Sequence, residues 1–368
     1  MKKVLFLIPN LGAGGAEKVL VNLANNMDKC KYDVTIKTLF DIGENRELLS
    51  KEIKYIPGWK KQIRGYSKLQ RIIPQRVLAK IIINEEYDYI ISFLEDVVTR
   101  IIGGIKSEKI KKIAWVHTEM LSHKQFSRCY RSFQEAKKTY ESMDYVVAVS
   151  EQIKDSLEKI VKTDRIIVKY NVIESDVIIE KAKTKPSDME NNHDVTICSI
   201  GRLMPVKGFD RLLEAHKRLI DEGLSHRIYI IGKGQEFKSL QKQAEVLGVA
   251  DSFRIIGYRS NPYCYISNSD LYVCSSRREG FSTAITEALI IGTPVVSTNC
   301  SGARELLGEN NEFGLVVENS TEGIYIGVKQ MLENPQLLKY YKKQAKARGC
   351  CFSKEKIVQA VEEMLESL

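Results

Sequence analysis

The sequence predicts an α/β protein with two domains, each a Rossmann-like fold around a doubly wound parallel sheet. Short β-branched runs alternate with helical patterns along the chain, as in parallel sheets assembled from βαβ units. The 368 residues are too many for one ordinary hydrophobic core, since a domain typically spans roughly 100 to 200 residues. The strand segments are almost entirely apolar, which is expected when helices cover both faces of a sheet.

The strand segments divide into two groups. The first group reads VLFLIP, VTIKTLF, YDYIISF, KIAWVHT, YVVAVS and IIVKYNV, and the second reads VTICSIG, HRIYIIG, SFRIIGY, DLYVCSS, TPVVSTN and FGLVVE. We place the domains at residues 1–178 and 195–352, with a polar linker at 179–194. We expect the last helix, residues 353–368, to pack back onto the first domain. Two such domains facing each other would bind ligands where their strands end.

The composition is that of an ordinary globular protein, with 43% hydrophobic and 28% charged residues. No apolar run approaches the roughly 18 residues of a membrane span, and the N-terminal VLFLIP is too short for a signal peptide. The cysteines lack the paired spacing of zinc sites, and several lie in apolar strands, so we predict reduced thiols in the cytoplasm. They are Cys30, Cys129, Cys198, Cys264, Cys274, Cys300, Cys350 and Cys351.

The net charge of +9 lies mainly in residues 1–180, which hold 31 Lys and Arg against 24 Asp and Glu. Residues 53–84 contain eight basic residues and no acidic one, interleaved with Tyr55, Trp59 and Tyr66. A basic, aromatic and partly helical segment suits an anionic membrane surface. No nucleic-acid-binding module accompanies it, so we expect no nucleic acid partner. We predict peripheral attachment to the inner face of the plasma membrane, with a solvated helix face as the alternative.

A glycine-rich loop, NLGAGGAEK, follows the first strand. Gly12, Gly14 and Gly15 allow the backbone to approach a ligand, and the helix that follows directs free N–H groups at an anion. The loop is not a dinucleotide fingerprint, because Glu17 stands where a third glycine or alanine is required. Asp41 does close the second strand, so binding of NAD stays open, as does a tight turn without a ligand.

His117 follows the strand KIAWV, at the expected carboxyl end of the sheet. From this position the imidazole can donate a hydrogen bond into the cleft. It can equally cap the helix that follows. The sequence does not decide between these two roles.

Two cations flank the first loop of the second domain, in SIGRLMPVKGFD. Arg202 offers a planar fork and Lys207 a point charge, and a helix N-terminus adds backbone donors. This combination suits a diphosphate. The position directly after a strand, with Pro205 and Gly208 shaping the turn, favours a functional role over two solvated surface charges.

Two further loops of this domain follow strands. The segment IIGKGQE places Gly232 and Gly234 on either side of a lysine, where the backbone could approach a ligand closely. The segment IIGYRSN places Tyr258 and Arg259 at a strand end. Either loop could instead be an ordinary turn.

The segment SSRREGFSTAITEALIIG carries two glutamates, one before a helix and one inside it. Glu279 and Glu287 differ by roughly 80° and two turns on a helix, so they would contact different parts of an extended ligand. A half-buried carboxylate that accepts bonds from vicinal hydroxyls fits Glu287. Alternatively, Glu279 serves as a helix N-terminal anion and Glu287 pairs with a basic residue.

Taken in order, these motifs resemble the retaining, family-four glycosyltransferases of the GT-B fold, in particular those of bacterial capsule and exopolysaccharide synthesis. The resemblance rests on GGAE, HTE, VSEQIKDSL, SIGRLMPVKGFD, IIGKGQE and REGFSTAITEALIIGTPVVSTN, and covers essentially the whole chain. It implies a hexosyltransferase that transfers a hexose or N-acetylhexosamine from a nucleotide sugar, expected to be a UDP-sugar, to a lipid-linked or oligosaccharide acceptor. It also implies retention of the anomeric configuration.

The resemblance implies a role for each matching residue. Arg202 and Lys207 would bind the donor diphosphate and offset charge on the leaving group, while Glu287 would hold the ribose. Glu279 would hold the sugar, and His117 would contact it near the anomeric carbon. Catalysis by fixed cations requires no metal, and we expect no cofactor. The residues predicted to bind the donor are Gly14, Gly15, Arg202, Lys207, Gly232, Tyr258, Arg259, Glu279, Gly280, Phe281, Ser282 and Glu287.

Two other classes of function remain open at this stage. One is a different enzyme on the same architecture, such as a phosphorylase, an epimerase or a nicotinamide-dependent dehydrogenase. The other is a catalytically silent protein that only binds a sugar nucleotide. Turnover by the purified protein separates this second class from a glycosyltransferase.

Overall fold

The computed structural model describes residues 1–12, 14–60, 70–189, 195–279 and 281–368. Its contacts divide the chain into two compact units. Unit 1 consists of Met1–Val172 together with Glu355–Leu368, and unit 2 consists of Ile173–Lys354.

Unit 1 contains a seven-stranded sheet with the strand order β3-β2-β1-β4-β5-β6-β7. All neighbouring strands pair in parallel. The strands are β1 (Lys2–Ile8), β2 (Tyr32–Thr38), β3 (Lys54–Ile56), β4 (Tyr89–Phe93), β5 (Lys111–Val116), β6 (Tyr145–Ala148) and β7 (Ile166–Val168). The helices described in this unit are α1 (Gly15–Asn26), α2 (Gln75–Ile82), α3 (Val97–Ile102), α4 (His123–Phe126), α5 (Phe133–Glu141), α6 (Glu151–Glu158) and, from the C-terminus, α15 (Lys354–Glu366).

Unit 2 contains a six-stranded parallel sheet with the order β10-β9-β8-β11-β12-β13. The strands are β8 (Val195–Ile200), β9 (His226–Ile231), β10 (Phe253–Gly257), β11 (Leu271–Cys274), β12 (Val295–Thr298) and β13 (Leu315–Val317). The helices are α7 (Ser175–Ala182), α8 (Phe209–Asp221), α9 (Phe237–Val246), α10 (Tyr263–Ser267), α11 (Thr283–Ile291), α12 (Ala303–Leu307), α13 (Thr321–Glu333) and α14 (Pro335–Gly349). In both sheets the strand order reverses beside the first strand, as in doubly wound folds.

The cores explain why the strand segments are continuously apolar. In unit 1 the central strand β1 is buried from Val4 to Ile8. Aromatic rings then pack across neighbouring strands, with centroid distances of 5.9 Å from Phe6 to Phe93 and 4.9 Å from Phe93 to Trp115. Burial on both faces of the sheet leaves no room for the polar alternation of a half-exposed strand.

Two details differ from the sequence prediction. Strand β3 (Lys54–Ile56) was not predicted, because its three residues lie in the basic segment 53–84, which lacks the apolar run of the other strands. Helix α7 (Ser175–Ala182) crosses the predicted start of the linker, and the contacts place it in unit 2. The predicted α/β class with two doubly wound parallel sheets is confirmed.

A buried arginine fixes the chain that leads into α2. Arg100 on α3 is only 1% exposed and donates hydrogen bonds to the carbonyl oxygens of Gln70, at 2.6 Å, and Ile73, at 2.9 Å. Its guanidinium also pairs with Glu135 on α5 at 3.1 Å. A charge buried this deeply is stable only when it is paired and hydrogen-bonded, so Arg100 holds this stretch of chain against α3 and α5.

Two imidazoles form a hydrogen-bonded chain in unit 2. His226 Nδ1 donates to the Leu224 carbonyl at 2.8 Å, so its neutral Nε2 must accept from His216 Nδ1, also at 2.8 Å. His216 Nε2 then accepts from the Ser252 hydroxyl at 2.9 Å. Burial, followed by the neighbouring His226, lowers the pKa of His216 to about 3. The chain therefore requires a neutral His226, and burial keeps His216 neutral as well.

This requirement makes the stability of unit 2 depend on pH. Because the pKa of His216 is lowered in the folded state, its contribution is present above its unfolded value of about 6.5 and is lost as the pH falls towards 3. We expect His216 alone to cost about 2 kcal/mol of unfolding free energy between pH 7.5 and 5.0. Urea denaturation of His216→Gln should show a smaller loss over this range than the wild type.

The exposed His123 offers the control for this measurement. His123→Gln should leave the pH dependence of the wild type unchanged. An equally steep loss of stability in His216→Gln would contradict the assignment.

Candidate functional site

The centre of the candidate site is an ion pair between two predicted residues. Lys207 Nζ lies 2.6 Å from Glu279 Oε1, and both side chains are largely buried, at 24% and 13% exposed. Ser276 Oγ donates to the same carboxylate oxygen at 2.6 Å. Lys207 follows β8 and Glu279 follows β11, which are neighbours in the sheet. The structure thus brings together one residue that was predicted to bind the diphosphate and one that was predicted to bind the sugar.

A close approach of two backbones holds this pair in place. The turn Pro205–Lys207 ends at Gly208, whose φ of 66° favours glycine. A Cβ atom on Gly208 would lie 2.2 Å from the Ser275 carbonyl oxygen. Ser275 Oγ donates back to the Lys207 carbonyl at 2.9 Å. The loops after β8 and β11 are therefore joined directly at their backbones.

Charged side chains reinforce this junction, and the sequence analysis did not identify them. Arg277 makes a two-bond pair with Asp210 at 2.7 and 2.6 Å and also donates to the Pro205 carbonyl at 2.7 Å. Arg211 donates to the Ser275 carbonyl at 2.8 Å. The sequence did contain a signal for Ser276 and Arg277, because both lie just after the strand segment DLYVC and close to the predicted Glu279.

Arg202 lies in the same loop as Lys207 and is exposed. The loop itself is fixed by Leu203, which is fully buried and whose N–H donates to the Lys233 carbonyl at 3.0 Å. The backbone that carries Arg202 is therefore fixed five residues before Lys207.

Gly232 and Gly234 lie where two loops of unit 2 approach each other closely. A Cβ atom on Gly232 would lie 1.9 Å from the Gly201 carbonyl oxygen, and one on Gly234 would lie 2.3 Å from that of Leu203. These glycines allow the loops after β8 and β9 to pack backbone against backbone. Their approach to the neighbouring loop is enough to explain why both residues are glycine.

The adjacent residues Tyr258 and Arg259, both predicted to bind the donor, differ in their exposure and in their partners. The Tyr258 ring is 65% exposed, with Lys233 Nζ 5.3 Å from its centre. The Arg259 guanidinium instead pairs with Asp188 at 2.5 Å and donates to the Tyr265 hydroxyl at 3.0 Å. Arg259 therefore anchors the segment around Asp188. The sequence predicted a contact with the donor for Arg259 and did not predict this ion pair.

Helix α11 carries the second glutamate. Ser282 caps its N-terminus by accepting from the Ile285 N–H at 3.4 Å. Glu287 is half-buried and forms a hydrogen bond with Tyr263, the first residue of α10. Phe281 is buried just before the helix, and the predicted Gly280 lies outside the described residues. Tyr263 was not predicted, because it lies in the apolar stretch YCYIS without a polar neighbour to mark it.

In unit 1, His117 follows β5 as predicted. Burial lowers its pKa to about 3, so the imidazole is neutral at physiological pH. Its Nε2 atom is buried and has no hydrogen-bond partner within the described ranges of the chain. The backbone N–H of His117 donates to Glu95 Oε2 at 3.0 Å. Glu95 follows β4 and was not predicted, and desolvation raises its pKa despite the bonds from Thr118 and His117.

The glycine-rich loop of unit 1 is held by asparagines. Asn10 Oδ1 accepts from the Gly12 N–H at 2.9 Å, and Asn45 Nδ2 donates to the Gly12 carbonyl. Gly14 caps α1 and leaves no space for a Cβ atom, which would lie 2.1 Å from the Glu17 carboxylate. Gly15 faces open space. The Glu17 carboxylate, which ends a flexible side chain, therefore lies against Gly14, whereas Gly15 is open.

Asp41, the residue that left NAD binding open, is engaged within unit 1. Its carboxylate pairs with Arg46 at 3.0 Å and accepts a hydrogen bond from the Tyr55 hydroxyl at 2.8 Å. Both partners would have to give way before a ribose could bind there. This arrangement counts against a dinucleotide site.

Within residues 1–12, 14–60, 70–189, 195–279 and 281–368, no group of three His, Cys, Asp or Glu side chains could hold a metal ion. In the same part of the chain, no helix combines the length and the apolar character that crossing a bilayer requires.

Relatives of known sequence are glycosyltransferases. The chain is 27% identical over 98% of both sequences to an uncharacterized glycosyltransferase of Haemophilus influenzae. Over about half of each chain it is 36% identical to the N-acetylgalactosamine-N,N'-diacetylbacillosaminyl-diphospho-undecaprenol 4-alpha-N-acetylgalactosaminyltransferase of Campylobacter jejuni, with 51% of this chain and 50% of the relative covered.

Solved structures share the fold over the whole chain. Anabaena HepE in complex with UDP and glucose has a TM-score of 0.79, with 21% identity and 100% of both chains covered. The lipopolysaccharide outer core galactosyltransferase WaaB has a TM-score of 0.76, with 19% identity and 99% of both chains covered. These similarities identify the predicted GT-B fold.

Two family models account for nearly all of the chain. The model described as Glycosyltransferase Family 4 matches residues 13–177, and the model described as Glycosyl transferases group 1 matches residues 180–348. Together with the two parallel sheets and the glycosyltransferase relatives, these matches identify the class of enzyme. The chain belongs to the group 1, family 4 glycosyltransferases of the GT-B fold.

Proposed function

We propose that this glycosyltransferase moves a hexose or N-acetylhexosamine from a UDP-linked donor to a lipid-linked or oligosaccharide acceptor, with retention of the anomeric configuration. The proposal rests above all on the Lys207–Glu279 pair at the carboxyl ends of two adjacent strands. It is supported by the solved neighbour HepE, which was crystallised with UDP, UDP and glucose, and UDP-glucose.

A role in bacterial surface polysaccharide synthesis forms part of the proposal. It is supported by the names of relatives, among them the capsular polysaccharide biosynthesis glycosyltransferase CapM of Staphylococcus aureus, 25% identical over 47% of this chain. The lipopolysaccharide core glycosyltransferase LpsE of Rhizobium meliloti is 31% identical over 44%. The diphospho-undecaprenol in the name of the Campylobacter relative supports a lipid-linked acceptor.

In the proposed mechanism, fixed cations stabilise the departing nucleoside diphosphate. Lys207 is held by the Glu279 carboxylate at 2.6 Å. A diphosphate carries more negative charge than one carboxylate, so it competes for the Lys207 ammonium and draws it to the β-phosphate. Arg202, exposed in the same loop, adds a planar fork. Charge that develops on the leaving group meets donors already in place, which lowers the barrier without requiring a metal cofactor.

The remaining donor contacts follow the chemistry of each side chain. Glu279 Oε1 accepts hydrogen bonds from Lys207 Nζ and Ser276 Oγ. In this proposal, the other oxygen, Oε2, accepts a hydrogen bond from a sugar hydroxyl. Glu287 would accept from the ribose hydroxyls. The exposed Tyr258 ring offers a face on which a nucleobase can stack. The neutral His117 imidazole suits a hydrogen bond to a sugar hydroxyl.

Membrane attachment is the second part of the proposal, and α2 provides its support. Exposed cations and exposed aliphatic side chains form adjacent stripes on this helix: Arg76 and Lys80 beside Val77 and Ile81, the latter two 44% and 61% exposed. Residues four apart lie on one helix face. A helix with both stripes exposed can rest on an anionic lipid surface and insert its aliphatic side chains.

A cavity beside α2 strengthens this interpretation. It measures about 490 Å³ and is lined mainly by apolar groups of α2 and of the chain after α3. The charged residues in its lining are the cations Arg76, Lys80 and Lys106 and the carboxylate Glu85. An apolar lining with three cations against one carboxylate favours an anionic lipid. We propose that the enzyme attaches through α2 to the inner face of the plasma membrane, in the cytoplasm.

Two cations of the predicted basic segment 53–84 are engaged within the protein. Lys54 is paired with Glu85 at 2.8 Å, and Arg71 donates to the Tyr130 carbonyl at 2.8 Å. Residues 61–69 lie outside the described part of the chain. Of the other described cations of this segment, Lys60, Arg76 and Lys80 are exposed, and Arg76 and Lys80 lie together on α2.

Neutralising both site cations tests the mechanism. We expect Arg202→Met/Lys207→Met to lower the rate of transfer from a UDP-sugar by about 10³-fold or more, because each lost donor typically costs 10²- to 10³-fold. The exposed pair Lys238→Met/Lys242→Met on α9 makes the same charge change away from the site and should keep the wild-type rate. Transfer at the wild-type rate by the site variant would refute the mechanism.

Glu279→Gln separates competition for Lys207 from contact with the sugar. Without the carboxylate, Lys207 has no anionic competitor, so calorimetry should show UDP bound at least as tightly as by the wild type. Transfer should fall by about 10²-fold, because the sugar loses its charged contact. Glu245→Gln on α9 is the control. Loss of UDP binding in parallel with transfer would count against the proposed competition.

Charge reversal on α2 tests membrane attachment. We expect Arg76→Glu/Lys80→Glu to reduce co-sedimentation with phosphatidylglycerol-containing vesicles by about tenfold or more, since each cation near an anionic surface contributes about 1 kcal/mol. Lys339→Glu/Lys343→Glu makes the same change at exposed positions of α14 and should bind like the wild type. Equal binding by both variants would show that α2 is not the contact.

A further inference from the structure

Tyr263 lies directly behind the second glutamate of the candidate site. It begins α10, is 7% exposed, and belongs to a helix that packs against α11. Its hydroxyl forms a hydrogen bond with the Glu287 carboxylate. A carboxylate can only accept, so Tyr263 is the donor.

This hydrogen bond restricts the direction of the carboxylate. A glutamate side chain has three rotatable bonds, whereas a buried tyrosine is fixed by two torsions and the packing of its ring. One lone pair of Glu287 is therefore committed to a rigid partner. Burial, and then the charge of Glu287, raises the pKa of Tyr263 well above its ordinary value. The hydroxyl keeps its proton and acts as a donor at any working pH.

We propose that Tyr263 is a positioning residue that orients the Glu287 carboxylate towards the vicinal hydroxyls of the donor ribose. The inference rests on the proposed function, because it takes Glu287 as the ribose ligand. A carboxylate held in one direction discriminates strongly against a ligand that lacks the expected hydroxyl, since its remaining lone pairs are then left unpaired. A carboxylate free to rotate can turn to water and discriminates less.

The same short helix provides a matched control. Tyr265 also carries a hydroxyl bonded to a carboxylate, but its partner is Asp188 at 2.5 Å. Its contacts with Asp188 and Arg259 anchor the chain around residue 188. Tyr265→Phe thus removes a comparable hydrogen bond from α10 without touching Glu287.

The test compares the affinities of UDP and 2′-deoxy-UDP, measured by calorimetry on the full chain. We expect the wild type to prefer UDP and Tyr263→Phe to reduce this preference by about five- to tenfold, mainly by weakening UDP. Tyr265→Phe should keep the wild-type ratio. A merely structural role for Tyr263 would weaken both ligands equally and leave the ratio unchanged.

Glu287→Gln distinguishes the two ways in which the inference can fail. If this variant loses the preference for UDP while Tyr263→Phe retains it in full, the positioning role is overturned and the proposed function stands. If the wild type binds neither nucleotide, or binds both equally, the ribose contact is wrong and the positioning role falls with it.

Discussion

Lys207 and Glu279 form a close ion pair, with Nζ 2.6 Å from Oε1, on which the account of the candidate site depends. The two side chains are largely buried, and desolvation makes an unpaired charge at this depth unfavourable. Each residue therefore stabilises the other until a ligand of higher charge arrives. In the proposed mechanism, the exchange of this carboxylate for a diphosphate is the first step of donor binding.

The rest of unit 2 serves to fix the two loops that carry this pair. Gly208 allows the backbone of the Lys207 turn to meet Ser275, and the Arg277–Asp210 pair locks the turn from the other side. Because the loops are joined at their backbones, the ammonium and the carboxylate cannot drift apart independently. Preorganisation of this kind is what allows fixed charges to stabilise a transition state without a further reorganisation cost.

Sequence reasoning predicted what depends on local pattern. Apolar strands, glycine turns and the polar residues that follow strands located both sheets and the Lys207 and Glu279 loops. It did not predict features set by long-range packing: the engagement of Arg259 by Asp188, the contact of Gly232 with Gly201, and Tyr263 behind Glu287. These partners lie between 24 and 71 positions apart along the chain or on separate helices, and no periodicity in the sequence links them.

The exchange of partners at Lys207 is the central claim, and a crystal structure of the enzyme with UDP tests it most directly. The account predicts that Lys207 Nζ lies within hydrogen-bond distance of a β-phosphate oxygen, with the bond to Glu279 lengthened or broken. A UDP molecule whose diphosphate binds elsewhere, with Lys207 Nζ still 2.6 Å from Glu279 Oε1, would contradict it.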